Sequence, residues 1–107
     1  MKKIIQFSYL SLASREHPDV VGLPTLDCRD IEEIASVIPS AVGKRSAVRA
    51  SPEFDRHVAM ALEYFSLGAE KIAVGCNFGQ QWSGVVVHEI AYRLRKTGET
   101  VFVEIRL

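Results

Sequence analysis

The sequence predicts a single small α/β domain over residues 1–107: a sandwich of about four mainly parallel strands with three helices, ending in a βαβ unit. Three observations predict it. Short β-rich runs alternate with stretches whose apolar residues recur at helical spacing. The last two runs, KIAVG and VFVEIR, flank such a stretch, so they should lie parallel and be joined by a right-handed crossover. A chain of 107 residues can also bury a core without metal or disulfide staples.

The elements follow in order. IIQF, residues 4 to 7, is the first strand. The amino end MKKIIQFSYL has lysines before an apolar run, as a signal peptide does. The run is short and broken by Gln6 and Ser8, so it reads as strand. Residues 8 to 23 form a long irregular segment punctuated by Pro18 and Gly22, and loops of that length are often functional. PTLDCRD gives a short second strand ending near Cys28. Asp30 and Glu33 make a capping-box-like start, and Ile31, Ile34, Ala35 and Ile38 line one face of a short helix that Pro39 stops. SAVGKRSAVRA, residues 40 to 50, reads as a loop. Ser51-Pro52 opens a second helix, with Val58, Ala61, Leu62 and Phe65 on its buried face and Gly68 as its stop. KIAVG is the third strand. Val87, Ile90, Ala91 and Leu94 line the third helix, which ends at Lys96-Thr97-Gly98, and the last strand runs from Thr100 to Arg106.

Composition narrows the function classes. Thirteen basic and thirteen acidic residues cancel, which argues against a strong sequence-independent grip on nucleic acid, although a local patch suffices for a weaker one. Cys28 and Cys76 form no CxxC pair and fit free thiols in a reducing cytosol, so a cytoplasmic location is expected. No apolar run has the length of a membrane span, so no membrane partner is expected.

The chemistry concentrates in AVGCNFGQQWSG, residues 73 to 84, where a strand hands off to a helix. Ligands of open α/β sheets sit outside the carboxyl ends of the strands, and DCRD stands at the end of the second. Cys76-x5-Trp82-Ser83 has the frame of a cysteine phosphatase loop, but Trp82 stands where a phosphate-clamping Arg is required. Cys76 is thus either a buried thiol at a strand end or, in a weaker reading, a hydrolase nucleophile. Gly79 and Gly84 have the outer spacing of a P-loop without the Lys-Ser/Thr that must follow. HEIAY, residues 88 to 92, lacks the second histidine of a zinc protease and reads as helix surface. His57, one turn after Glu53, reads as half of a surface pair. No metal site and no cofactor is expected. Backbone N–H groups at the helix start still attract an anion. Gln80 and Gln81 are neutral donors, and Phe78 and Trp82 are either stacking faces or, for Trp82, packing against the sheet edge. Lys44, Arg45, Arg49 and Arg56 form the basic cluster, either a solvated run or contacts to an RNA backbone.

The order of these features resembles the carboxyl-terminal domain of the RapZ family of RNase adapters. FSY near the start, Asp27-Cys28-Arg29 at a strand end, the Gly43 segment, AVGCNFGQQWS and the final VFVEIR carry the resemblance, over nearly the whole chain. The family's loop reads approximately GCTGGxHRS. It matches here at Gly75, Cys76, Gly79 and Ser83, with Asp27 and Arg29 at the other strand end. The resemblance implies a standalone, non-catalytic domain that binds small RNAs or a sugar phosphate such as glucosamine-6-phosphate. It implies a site at Gly75, Cys76, Asn77, Phe78, Gly79, Gln80, Gln81, Trp82 and Ser83, with Asp27, Arg29 and Arg106 around it. Gln81-Trp82 replaces the family's His-Arg, and Asn77 and Phe78 replace Thr and Gly. Charge-assisted bonds of that kind are worth roughly 1.5–3 kcal/mol each, so phosphosugar affinity should fall unless Arg29, Arg106 or the 44–49 segment substitutes. A protein-interaction module exposing Phe78 and Trp82 over a vestigial pocket is the alternative, and self-association is compatible with either.

Overall fold

The alternation of apolar runs places two strands at the centre of a parallel sheet. In the computed structural model, which describes residues 1–10, 20, 22–77 and 80–106, with Gln80 and Gln81 described in backbone only, these are β1 (Lys2–Ser8) and β3 (Lys71–Cys76). Both are buried over nearly their whole length, as strands covered on two faces must be. The short β2 (Thr25–Asp27) pairs with β3, and β4 (Val101–Arg106) pairs with β1. The order is β2-β3-β1-β4 with every pair parallel, so among the described residues β2 and β4 are the edges.

Among the described residues four helices accompany the sheet, one more than the three expected: α1 (Arg29–Ser36), α2 (Ala41–Ala50), α3 (Pro52–Ser66) and α4 (Gln80–Lys96). The additional one is α2, where the sequence reads as a loop. The Ser40 hydroxyl caps it, accepting from the Gly43 N–H at 3.0 Å. Only Val48 on it is buried, which is why no apolar stripe marks it in the sequence. Ser51 ends α2 and begins α3: its hydroxyl donates to the Val48 carbonyl at 2.6 Å and accepts from the Phe54 N–H at 3.2 Å. The expected capping box of α1 does not form. Cys28 occupies the cap position with no side-chain bond, and Asp30, in the first turn, faces α3 instead. Helices α3 and α4 end ahead of Gly68 and Gly98, which take φ of 102° and 90°, the left-handed region that closes a helix.

The main core lies between the helices and one face of the sheet, joining Ile4, Ile72 and Val74 to Ile31, Val58, Phe65, Val86 and Ile90. On the other face Ile5, Phe7 and Ala73 pack with Val20, Tyr9 and Leu23 from the segment after β1. This division follows from chirality. The β2-to-β3 and β3-to-β4 connections run the same way along the sheet and lie on one face. The β1-to-β2 connection runs the opposite way, and its described residues Tyr9, Val20 and Leu23 pack on the other face, as right-handed crossovers require.

Candidate functional site

The chain therefore leaves the ends of β1 and β3, which are neighbours, toward opposite faces. That is the topological switch point at which open α/β sheets hold ligands. Ser8 ends β1 and Cys76 ends β3, in register with each other. The Ser8 hydroxyl donates to the Asn77 carbonyl at 2.7 Å and holds the departing loop against β1. Asp27 ends β2 beside Gly75, and the Cys28 N–H donates to the Gly75 carbonyl at 2.7 Å, so the ends of β2 and β3 are hydrogen-bonded neighbours. Gly75 is required by space: a Cβ there would stand 2.6 Å from Cζ of the Phe7 ring.

Arg29 turns back two residues and forks onto Asp27. Its Nε lies 2.9 and 3.0 Å from the two carboxylate oxygens, and Nη2 lies 2.6 Å from Oδ2. The guanidinium sits 4.2 Å from the Tyr9 ring centroid, and that ring packs edge-on against Phe7. The hydrogen bonds from Arg29 hold the Asp27 carboxyl below its ordinary value and raise the arginine's own. Burial, then the Asp27 charge, pushes the Tyr9 phenol up. Half-exposed and preoriented, the Arg29 guanidinium borders a cavity of about 480 Å³ with Glu32, Glu33, Ser36 and Asn77. The lining is one cation, two carboxylates, a hydroxyl and an amide, a set suited to a polar molecule bearing hydroxyl or amino groups beside an anionic one.

Beneath the switch point lies a buried polar layer. Gln6 Nε2 donates to Ser83 Oγ at 3.2 Å, and Cys76 Sγ lies 3.5 Å from the same oxygen. All three side chains are buried. Cys76 is thus a buried thiol at a strand end. Cys28 is equally buried, and desolvation, the largest cause, pushes its thiol far above the ordinary range.

Several expected site residues fall elsewhere. Helix α4 begins at Gln80, so Gln80, Gln81, Trp82 and Ser83 belong to its first turn and not to the loop. Trp82 is 8 % exposed and sits in the helix-side core, which removes it as an open stacking face and as an exposed interaction hot spot. Phe78 and Gly79, and the side chains of Gln80 and Gln81, lie outside the described residues. Arg106 ends β4, three strand spacings or about 14 Å from β2, where its Nε donates to Glu104. The basic cluster also divides. Arg56 pairs with Asp30 at 2.6 Å, whereas Arg45 and Arg49 share a groove of about 410 Å³ with Gly84, Val85 and His88. Arg49 lies 3.7 Å from Glu89 there, and Lys44 does not line the groove. His57 is buried, not a surface partner of Glu53. Its Nε2 lies 2.9 Å from Asp30 Oδ1, and its Nδ1 has no partner among the described residues.

Gln6, Ser8 and Tyr9 were missed as site residues. The signal was available: polar residues in an otherwise apolar strand at positions 6 and 8 mark where that strand approaches a neighbour needing hydrogen bonds. Fold and site together define a parallel α/β domain with a polar cavity at the carboxyl edge of its sheet. No protein-family model matches the chain, and no curated protein matches it.

Proposed function

We propose that this chain is a non-catalytic binding domain, resembling the RapZ carboxyl-terminal domain, that takes a small polar or phosphorylated metabolite at the carboxyl ends of β2 and β3. The observation that carries it is the Arg29 guanidinium, fixed by Asp27 and by the Tyr9 ring at the rim of the cavity it shares with Asn77 and Glu32. A fork already paid for in side-chain entropy can bind an anion with its remaining N–H groups. Glu32, Glu33 and Ser36 supply acceptors for hydroxyl or ammonium groups on the same ligand. A non-catalytic role fits the thiols: Cys76 is 1 % exposed and bonded to a hydroxyl, so a substrate could not reach it without rearrangement.

The test is calorimetric titration with glucosamine-6-phosphate and its unphosphorylated parent, with Trp82 emission as a second readout. Binding that needs the phosphate and weakens about tenfold or more in Arg29→Ala supports the reading, the size expected for loss of a charge-assisted bond. No heat and no emission change at millimolar sugar phosphate sinks it.

A second reading, RNA binding, is favoured by the groove holding Arg45, Arg49 and His88. Binding of labelled RNA there should weaken as salt rises. Arg45→Ala should lower the slope of log affinity against log salt by roughly 0.7 on a single strand. A slope unchanged by that variant would exclude this groove.

A further inference from the structure

We propose that the outer edge of β4 docks a second copy of this chain, strand against strand and antiparallel, to make one eight-stranded sheet. The two edges of the sheet differ. β2 has three residues, too short to template another strand, whereas β4 has six without proline. The Lys2 N–H donates to the Thr100 carbonyl at 3.0 Å, which fixes the parity of β4. Thr100, Phe102 and Glu104 turn their backbone groups toward β1, so Val101, Val103 and Ile105 turn theirs outward. Among the described residues, that outward row meets one donor only, Arg95 Nη2, at 2.9 Å from the Val101 carbonyl.

The side chains of the same three residues lie on the helix side. There Val103 and Ile105 border a groove of about 310 Å³ whose other wall is Val87 and Ala91 of α4, with His88 and Arg95 of the same helix at its rim. Ile105 is 54 % exposed and Phe102, on the opposite face, 50 %. An occupant must therefore supply an extended backbone with apolar side chains at alternate positions on one face. VFVEIR is itself such a segment. A two-fold axis perpendicular to the sheet keeps the helix faces on one side, and a register centred on Val103 sets Val103 opposite its own copy and Val101 opposite Ile105 of the partner subunit. Those are the residues with outward backbone groups, so the facing pairs are hydrogen-bonded pairs. Glu104 then faces Phe102 of the partner subunit. Sliding two residues toward the carboxyl end would set the Glu104 carboxylates directly opposite each other, which cross-strand repulsion disfavours. The charges on β4 are answered within the chain, Glu104 by Lys3 at 3.2 Å and by Arg106. They leave no net charge to repel a second copy.

The experiment is sedimentation velocity of the full chain from low micromolar to several hundred micromolar, on the wild type and two edge variants. Ile105→Lys places a charge on the exposed edge. Val103→Pro removes an N–H that points outward and so leaves the ladder to β1 intact. The wild type should pass from monomer to dimer as concentration rises. Each variant should stay monomeric with an unchanged far-ultraviolet spectrum, while Leu67→Lys, on a surface 78 % exposed at the end of α3, should dimerise as the wild type does. If one edge variant fails to fold, the other decides. A wild type that stays monomeric throughout overturns the proposal, and so does a dimer that persists in the folded edge variants.

Discussion

The Gln6 side-chain amide donates to Ser83 Oγ at 3.2 Å, across 77 residues of chain, and so pins the first turn of α4 to the middle of β1. Both side chains are buried, so neither can exchange its lost partner for water. Gln6→Ala should therefore cost about 1–3 kcal/mol, the penalty for leaving a buried polar group short of a partner. Urea denaturation measures it. An amide-exchange profile should show the loss concentrated in the first turn of α4. A uniform loss across the sheet would mean that Gln6 acts only as filler.

Gly75 tests how the two central strands meet. Phe7 Cζ, Cε2 and Cε1 lie 2.6, 2.7 and 2.9 Å from where a Cβ would stand, and the ring is itself held by Tyr9. Gly75→Ala should destabilise by about 1–3 kcal/mol through overpacking. Because the displaced ring would drag Tyr9 from under Arg29, the variant should also weaken ligand binding at the strand ends. Gly84→Ala is the contrast: its nearest neighbour would be Gln6 Nε2 at 3.4 Å, and in a helix the change should stabilise by about 0.5–1 kcal/mol.

Asp30 joins two helices through one carboxylate. It accepts from the Ile31 N–H at 2.8 Å and from Arg56 at 2.6 Å, and it faces buried His57 at 2.9 Å. Asp30→Ala leaves His57 with neither ring nitrogen satisfied among the described residues. The expected loss is about 1–3 kcal/mol in thermal or chemical denaturation. Asp55→Ala, a neighbouring exposed carboxylate of α3, should change stability by less than about 0.5 kcal/mol.

The strands and their mainly parallel pairing were legible because short β-rich runs alternate with stretches whose apolar residues recur at helical spacing. Three features were not. Helix α2 buries Val48 alone, so its signal is the Ser40 cap and not a stripe. His57 lies on the α3 face with Phe54, Val58, Ala61 and Phe65; the spacing assigns it inside, but a titratable residue biases the reading outward. The burial of Trp82 depends on where α4 begins, and Gln80-Gln81 carries no cap residue to mark that start. The site itself was half visible. Asp27 and Arg29 stood out as charges at a strand end, whereas Tyr9, Glu32 and Ser36 join them only through the fold.

Cys28 and Cys76 are 0 % and 1 % exposed, and burial pushes the Cys28 thiol far up. Neither should react with an aromatic disulfide reagent in the native state. Labelling should follow the rate of opening and become complete only in denaturant. Rapid native labelling of one thiol near neutral pH would revive a nucleophilic role for Cys76.

Arg29 hydrogen bonds hold the Asp27 carboxyl below its unfolded value. A depressed folded pKa contributes stability that is fully present above the unfolded value, near 4, and is lost as pH falls through the folded one. Glu104 shifts the same way, through Arg106 first and then Lys3, so it loses its contribution in the same acid window. Arg29→Ala should return Asp27 toward the ordinary carboxylate range, measurable as a rise in its titration midpoint by carboxyl NMR, and should flatten part of the acid limb of stability. Above neutral pH the Arg29 variant should keep a constant offset from the wild type, since Asp27 is ionised in both states there. Ligand should deepen the dependence if the phosphate binds the same guanidinium, because Asp27 must stay ionised to hold the fork in place. An Asp27 midpoint unmoved by Arg29→Ala would show that the pair seen between these side chains does not persist in solution, and would remove the fixed cation from the site.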